Sequence, residues 1–226
     1  MPECRHHEIC GLTDEADPGA GLCILHSHRG DKDPEAFDTA FSEHRKKLPQ
    51  GYRFTSMVFP LKPNFTGESF STSAIFVKVT FAAGATFVRT TFGGEADFDE
   101  ATFAASADFR GATFDVTPRF FTTFAAEANF SGATFNKGAD FSHATFNERA
   151  NFGRAKFYAR TDFSRAKFSG SVDFHEATFD ADADFSEVTF NSILKFFQVD
   201  IIGMFRMTSS ARYRKDGVGS SRPNWR

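Results

Sequence analysis

Phenylalanine sets the pattern of this chain. Between Phe54 and Phe196 it recurs over 26 intervals, of which 12 are five residues, 13 are six and one, Phe120 to Phe124, is four. Fives and sixes alternate, so the true period is eleven. The unit reads Ala-(Asp/Asn)-Phe-x-x-Ala-Thr-Phe-x-x-x, as in Ala139-Asp140-Phe141 followed by Ala144-Thr145-Phe146. A short fixed period signals a repeat architecture. The residue two before Phe is small (Ala96, Ala107, Ala128, Ala150) and the residue between is polar. Small-in, polar-out, Phe-in is a period of two, which predicts one very short extended segment and one corner in each unit. A helical seam would need steps of three and four, and the Thr, Gly, Asn, Asp and Ser between the rings disfavour helix interiors.

A chain that turns every five or six residues closes into a coil of square section, four units or two elevens per turn. Stacked coils pair backbone to backbone at about 4.8 Å, so six to seven coils predict a rod of roughly 30 Å. Its bore is a ladder of Phe rings flanked by Ala, each buried ring worth roughly 1.5–3 kcal/mol of gross stabilisation.

These residues resemble the pentapeptide-repeat proteins, whose unit is Ala-(Asp/Asn)-(Leu/Phe)-x-x. Ala-Asp-Phe or Ala-Asn-Phe stands at 96–98, 107–109, 128–130, 139–141, 150–152 and 183–185. The resemblance covers about 54–207. It implies an all-β solenoid, a right-handed quadrilateral β-helix. One extra residue in every second unit departs from the strict pattern and implies a bulge at two of the four corners. Some members of that family mimic DNA and bind topoisomerases, and some join end to end.

Four segments are expected: 1–32, a zinc knuckle; 33–53, a capping helix and linker; 54–207, the β-helix; and 208–226, a basic, disordered tail. All three cysteines lie near the start, in Cys4-x5-Cys10-x12-Cys23-x2-His26. Three thiolates and one imidazole suit tetrahedral zinc, and four protein ligands make the site structural rather than catalytic. His6, His7 and His28 are rival fourth ligands. Asp33-Pro34-Glu35 opens a helix, with Asp as N-cap and Pro at the first helical position. Phe37, Phe41 and Leu48 share one face of it as a lid on the ring ladder. Arg45-Lys46-Lys47 favours its C-terminal end, and Pro49-Gln50-Gly51 stops it. After Phe190 the chain turns aliphatic, and a final coil through Ile201 and Met207 would seal the open end or join two molecules as a homodimer.

The net charge of −3 is unevenly spread. Residues 54–205 carry 13 Lys/Arg against 18 Asp/Glu, a balance of −5, whereas 206–226 carry six against one, or +5. The residue before each Phe forms outward ladders, one acidic or amide (Asp97, Asp108, Asn129, Asp140, Asn151, Asp162, Asp173, Asp184) and one mostly Thr. Their structural reading is bonding to corner backbone groups; their functional reading is an acidic stripe. Asp180, Asp182, Asp184 and Glu187 form the densest acidic group and the candidate binding residues. At Thr117-Pro118-Arg119-Phe120-Phe121-Thr122-Thr123-Phe124 a residue is missing and Pro takes the small inward position, which implies a local distortion or a docking site.

No apolar leader or membrane span is evident, and a soluble cytoplasmic protein is expected. A Phe-filled bore leaves no cleft and the carboxylates do not converge, so no enzyme is expected. The expected function is a non-enzymatic protein-binding scaffold. The alternatives are a DNA-mimicking inhibitor or protector of a topoisomerase such as gyrase, and a nucleic-acid-binding knuckle with the solenoid as spacer.

Overall fold

The computed structural model describes residues 25–27, 32–46 and 52–208. From Tyr52 to Met207 the chain forms twenty-seven strands, nearly all two residues long. Each pairs in parallel with the segment one coil further on, as Thr80 does with Thr102 and Phe81 with Phe103. The pairings sort into four faces, visited once per coil for about seven coils.

Face one runs through Tyr52–Arg53, Ala74–Ile75, Ala96–Asp97, Ala139–Asp140, Thr161–Asp162, Ala183–Phe185 and Phe205–Met207. Face two holds Val58–Phe59, Thr80–Phe81, Thr102–Phe103, Thr123–Phe124, Thr145–Phe146, Lys167–Phe168 and Thr189–Phe190. Face three holds Ala85–Thr86, Ala107–Asp108, Ala128–Asn129, Ala150–Asn151, Val172–Asp173 and Leu194–Lys195. Face four holds Ser69–Phe70, Thr91–Phe92, Thr113–Phe114, Thr134–Phe135, Lys156–Phe157, Thr178–Phe179 and Asp200–Ile201. The fold is therefore an all-β parallel solenoid.

One residue per coil step fills each wall of the bore with a Phe. Ring centroids of successive coils lie 4.7 Å apart for Phe76–Phe98 and 4.8 Å for Phe92–Phe114, with planes within 4° and 1° of parallel. That spacing is the hydrogen-bonding distance between neighbouring strands. Backbone pairing and ring stacking thus share one repeat. Rings from opposite faces meet edge to face, as Phe130 and Phe141 do at 5.3 Å and 85°, the arrangement that the ring quadrupole favours.

Two kinds of corner explain the alternating intervals. The five-residue interval follows faces one and three and is a tight turn. Ala144 N–H donates to the Phe141 carbonyl at 3.1 Å, with His143 between them at φ 58°. A positive φ at the third turn position defines this turn type. The same sign recurs one coil on at Arg165 and Glu187, and on the other tight corner at Gly111, Gly132, Arg154 and Glu176. The six-residue interval follows faces two and four and holds the extra residue.

The Asp/Asn ladder belongs to the tight corners. Asp140 Oδ1 accepts the Ser142 N–H at 2.9 Å, Asp162 accepts Ser164 at 2.7 Å, and Asn129 and Asn151 accept Ser131 and Gly153 at 3.0 and 2.9 Å. Each such side chain replaces a backbone acceptor at the corner. Asp140→Ala should therefore cost about 1 kcal/mol, the usual loss of a side-chain cap, whereas Asp140→Asn should leave the chemical-denaturation midpoint in place.

The four-residue interval is a compensated defect. Arg119 replaces the Asx residue, no positive φ is recorded between Phe120 and Phe124, and the Phe121 N–H donates instead to Asp99 Oδ1 of the preceding coil at 3.1 Å. Pro118 takes the inward place of an Ala and brings no N–H. Face one is consequently broken there into two sheets, joined only through single-residue bridges from Arg119 to Asp97 and to Asp140.

The open edge of the first coil is covered from outside the solenoid. Helix α1, Pro34–Lys46, lays Phe37 and Phe41 on Phe59 at 5.5 and 5.0 Å, and Phe41 also meets Phe54 at 5.5 Å. Asp33 Oδ1 caps it, accepting the Glu35 and Ala36 N–H groups at 2.9 and 3.3 Å. First-coil carbonyls of Arg53, Thr55 and Val58 accept His44 Nε2 (2.8 Å), His26 Nε2 (3.1 Å) and Lys32 Nζ (2.7 Å), and Val58 N–H donates to the Leu25 carbonyl (2.8 Å). An unpaired strand edge invites another chain, and these groups occupy it. Leu48, Lys47, the Pro49-Gln50-Gly51 stop and the side chains of Arg45 and Lys46 lie outside the described residues.

At the other end Leu194, Phe196, Val199, Ile201 and Phe205 pack against the core, while Ile193, Phe197, Ile202, Met204 and Met207 remain exposed. Among the described residues no helix is long and apolar enough to cross a membrane.

Candidate functional site

The outward chemistry sorts by face, and only a period of 22 reveals it. The carboxylates of the Asx ladder divide between face one (Asp97, Asp140, Asp162, Asp184) and the opposite face three (Asp108, Asp173). Over residues 52–208, face one and its two bordering corners carry 11 of the 18 carboxylates but seven of the 15 Lys/Arg, Arg53 and Arg206 included, a balance of −4. The remainder of the coil then holds seven acidic against eight basic residues, or +1. The net negative charge of the rod therefore lies on one side.

The exposed apolar side chains of the middle coils lie on that side too. Phe121 (53% exposed) sits on the corner between faces one and two, its ring 5.4 Å from that of His143. Val116 (41%) and Tyr158 (47%) stand on the other border, between faces four and one. Within face one, Arg119 sits among carboxylates. It is paired with Asp97, whose side chain is nearly buried, and lies 3.3 Å from both Glu95 and Asp99. Burial pushes the Asp99 carboxyl above the usual aspartate range; the Phe121 N–H and Arg119 only partly oppose this, and Asp97 and Asp140 add to it.

The acidic group read from the sequence lies at the lower end of the same side. Asp180 and Asp182 stand on the corner before face one, Asp184 on the face and Glu187 on the corner after it. Asp182 Oδ1 accepts the Met204 N–H at 2.8 Å, and Glu187 pairs with Arg165 at 3.2 Å. Burial disfavours the Asp184 anion, but hydrogen bonds from the Ser186 side chain and backbone, with Arg206 and Arg160 nearby, outweigh it and hold this carboxyl below its ordinary range. A depression of about 70 Å³ lies among Arg160, Asp182, Ala183, Asp184, Met204 and Arg206, well below the roughly 300–1,000 Å³ of small-molecule sites.

On face three, Asp173 is similarly held. Burial raises its pKa, yet the His175 backbone and ring, the His175 charge and Lys195 bring it below the ordinary value. Its Oδ1 meets His175 Nδ1 at 2.8 Å, and Gly153 leaves the room that this ring fills, since a Cβ there would lie 2.2 Å from it. Carboxylates with depressed folded-state pKa values contribute stability that is whole above the ordinary range near ~3.9 and is lost as pH falls through the lower folded value. Asp99 has the opposite sign and offsets part of this. The thermal midpoint should hold between about pH 7 and 5 and fall below about pH 4; a flat profile to pH 2 would contradict these pairings.

Of the sequence-proposed zinc ligands, His26 alone is described, buried against the first coil with Nε2 on the Thr55 carbonyl. Cys4, Cys10 and Cys23, with His6, His7 and His28, lie outside the described residues, as does 209–226. Among the described residues no group of three or more His, Cys, Asp or Glu could hold a metal ion.

Short parallel strands on four walls, a ring-filled bore and Asx-capped corners define a β-solenoid repeat protein of the kind that presents surfaces rather than clefts. The family model for pentapeptide repeats (nine copies) matches residues 53–113, 122–167 and 152–199, and the chain belongs to that family. The match breaks between 113 and 122, where Pro118 and Arg119 interrupt the repeat. No curated protein and no solved structure matches the chain.

Proposed function

We propose that this protein is a non-enzymatic binding scaffold that presents face one to a cationic protein surface. The observation that carries this reading is the sorting of charge, −4 on one side of the rod against +1 on the rest, with Phe121, Val116 and Tyr158 exposed along the same side. Aromatic anchors beside complementary charge are the usual means by which an interface gains affinity and orientation. Asp180, Asp182, Asp184 and Glu187 form the end of this binding face. The test is a quantitative pull-down comparing the native chain with Asp140→Asn/Asp162→Asn/Asp184→Asn, which keeps every corner acceptor and removes three charges. Partners retained equally by both baits would refute the assignment of the face.

A second reading is supported by the same ladder: carboxylates repeating at about 4.8 Å per coil offer a topoisomerase a substitute for a phosphate backbone. A gyrase supercoiling assay decides it, since inhibition or protection that the Asn triple variant loses is required, and no effect at micromolar protein removes it.

Two accessory roles complete the proposal. Cys4, Cys10, Cys23 and His26 hold a structural zinc in a reduced, cytoplasmic setting. The Nε2 contact of His26 with a backbone carbonyl is the kind of bond that orients a metal-ligating imidazole. Zinc content unchanged by Cys10→Ser would end that idea. The exposed Ile193, Phe197, Ile202, Met204 and Met207 at the last coil suit an end-to-end homodimer, which light scattering would detect.

A further inference from the structure

We infer that the acidic face is a docking surface for the chain's own basic C-terminal segment, 209–226. Three observations converge on it. The segment carries five Lys/Arg (Arg212, Arg214, Lys215, Arg222, Arg226) against one Asp, and its two aromatics, Tyr213 and Trp225, each adjoin an arginine. Face one offers the complement, carboxylates one coil apart at Asp140, Asp162 and Asp184, flanked by exposed Phe121 and Tyr158. A cationic side chain is attracted to an aromatic face as well as to a carboxylate, so such a surface holds basic and aromatic residues together.

The point of departure is right as well. Thr208, the last described residue, receives the Glu187 N–H on its Oγ1 at 2.9 Å and so lies at the border of face one. From there to the level of Arg119 is four coils, about 19 Å at strand spacing. Eighteen residues extend to about 60 Å. The segment can therefore run the length of the acidic stripe with chain to spare. It is tethered, so it meets the face at high effective concentration. An external cationic partner must displace it, which makes the segment a built-in competitor for the surface. This shares its face with the proposed binding function, but its test involves no partner, so the two fail separately.

The single tryptophan of the chain, Trp225, reports on the segment directly. In the full-length protein at low salt, acrylamide should quench its fluorescence at least about twofold less than in a peptide of 209–226. That protection should vanish in Asp140→Asn/Asp162→Asn/Asp184→Asn and in about 0.5 M salt, where surface charges are screened. An isocharged control away from the face, Asp108→Asn/Glu127→Gln/Glu148→Gln, should keep it. The Asn substitutions do not threaten folding, because Asn129 and Asn151 natively make the same Asx contact at the equivalent tight corners after face three. Quenching of the native chain equal to that of the peptide, or equal loss of protection in the control, would overturn the inference.

Discussion

Replacing Phe141 with Ala is expected to destabilise the solenoid by about 3–5 kcal/mol, the range for emptying a fully buried aromatic site. The ring is inaccessible and stacks on Phe120 and Phe163 at 4.8 and 4.9 Å. It also meets Phe130 and Phe152 edge to face, both at 5.3 Å. Neighbours cannot collapse into the hole, because each is pinned by strand pairing to its own coil. The loss is therefore felt as a cavity rather than as a repacking. Phe121→Ala, twenty residues away and half-exposed, should change stability by no more than about 0.5 kcal/mol, the usual bound for surface positions. Guanidinium denaturation of the two variants separates ladder rings from surface rings; similar effects would mean that the bore is not packed as described.

The second large effect is expected at a position with no side chain. Gly138 has φ 84°, and a Cβ there would lie 1.9 Å from the Arg160 carbonyl oxygen of the next coil. That oxygen belongs to backbone and cannot turn aside. Gly138→Ala combines a left-handed backbone penalty of about 1–2 kcal/mol with overpacking of about 1–3 kcal/mol, roughly 3 kcal/mol together. Gly132 makes the contrast. Its φ is 64° but nothing lies within 4 Å of a Cβ, so Gly132→Ala should show only the backbone part. Comparing their denaturation midpoints isolates the close approach between coils.

Much of this fold is legible in the sequence, and the limits have physical causes. The Phe period gave coil size, strand length and inward direction, because a bore filled by one residue type leaves an unbroken spacing. Corner conformation is less visible. Left-handed residues here include Glu100, Arg154, Arg165 and Glu187 rather than glycine alone, so residue type does not mark them. The marker stands three residues earlier, in the Asx whose side chain holds the turn. The same ladder misled in another respect. Read at eleven residues, Asp97 to Asp184 looks like one stripe, yet its members divide between opposite faces, alternating except where Arg119 interrupts between Asp108 and Asn129, because one coil needs 22. Of the Lys and Arg interspersed along the repeat, Arg149, Arg154, Lys156 and Lys167 lie away from face one, whereas Arg160 and Arg165 stand on its bordering corners. The contacts of His26, Lys32 and His44 with first-coil carbonyls have no period at all and had no signal in the sequence.

The stacking itself is open to one direct measurement. Thr80 and Thr189 occupy face two five coils apart and point outward. Spin labels introduced there as noncanonical residues, leaving Cys4, Cys10 and Cys23 untouched, should give a narrow distance distribution about 24 Å between backbone positions, five times the strand spacing. A broad distribution, or a mean beyond about 40 Å, would contradict a parallel coil that climbs one strand spacing per 22 residues.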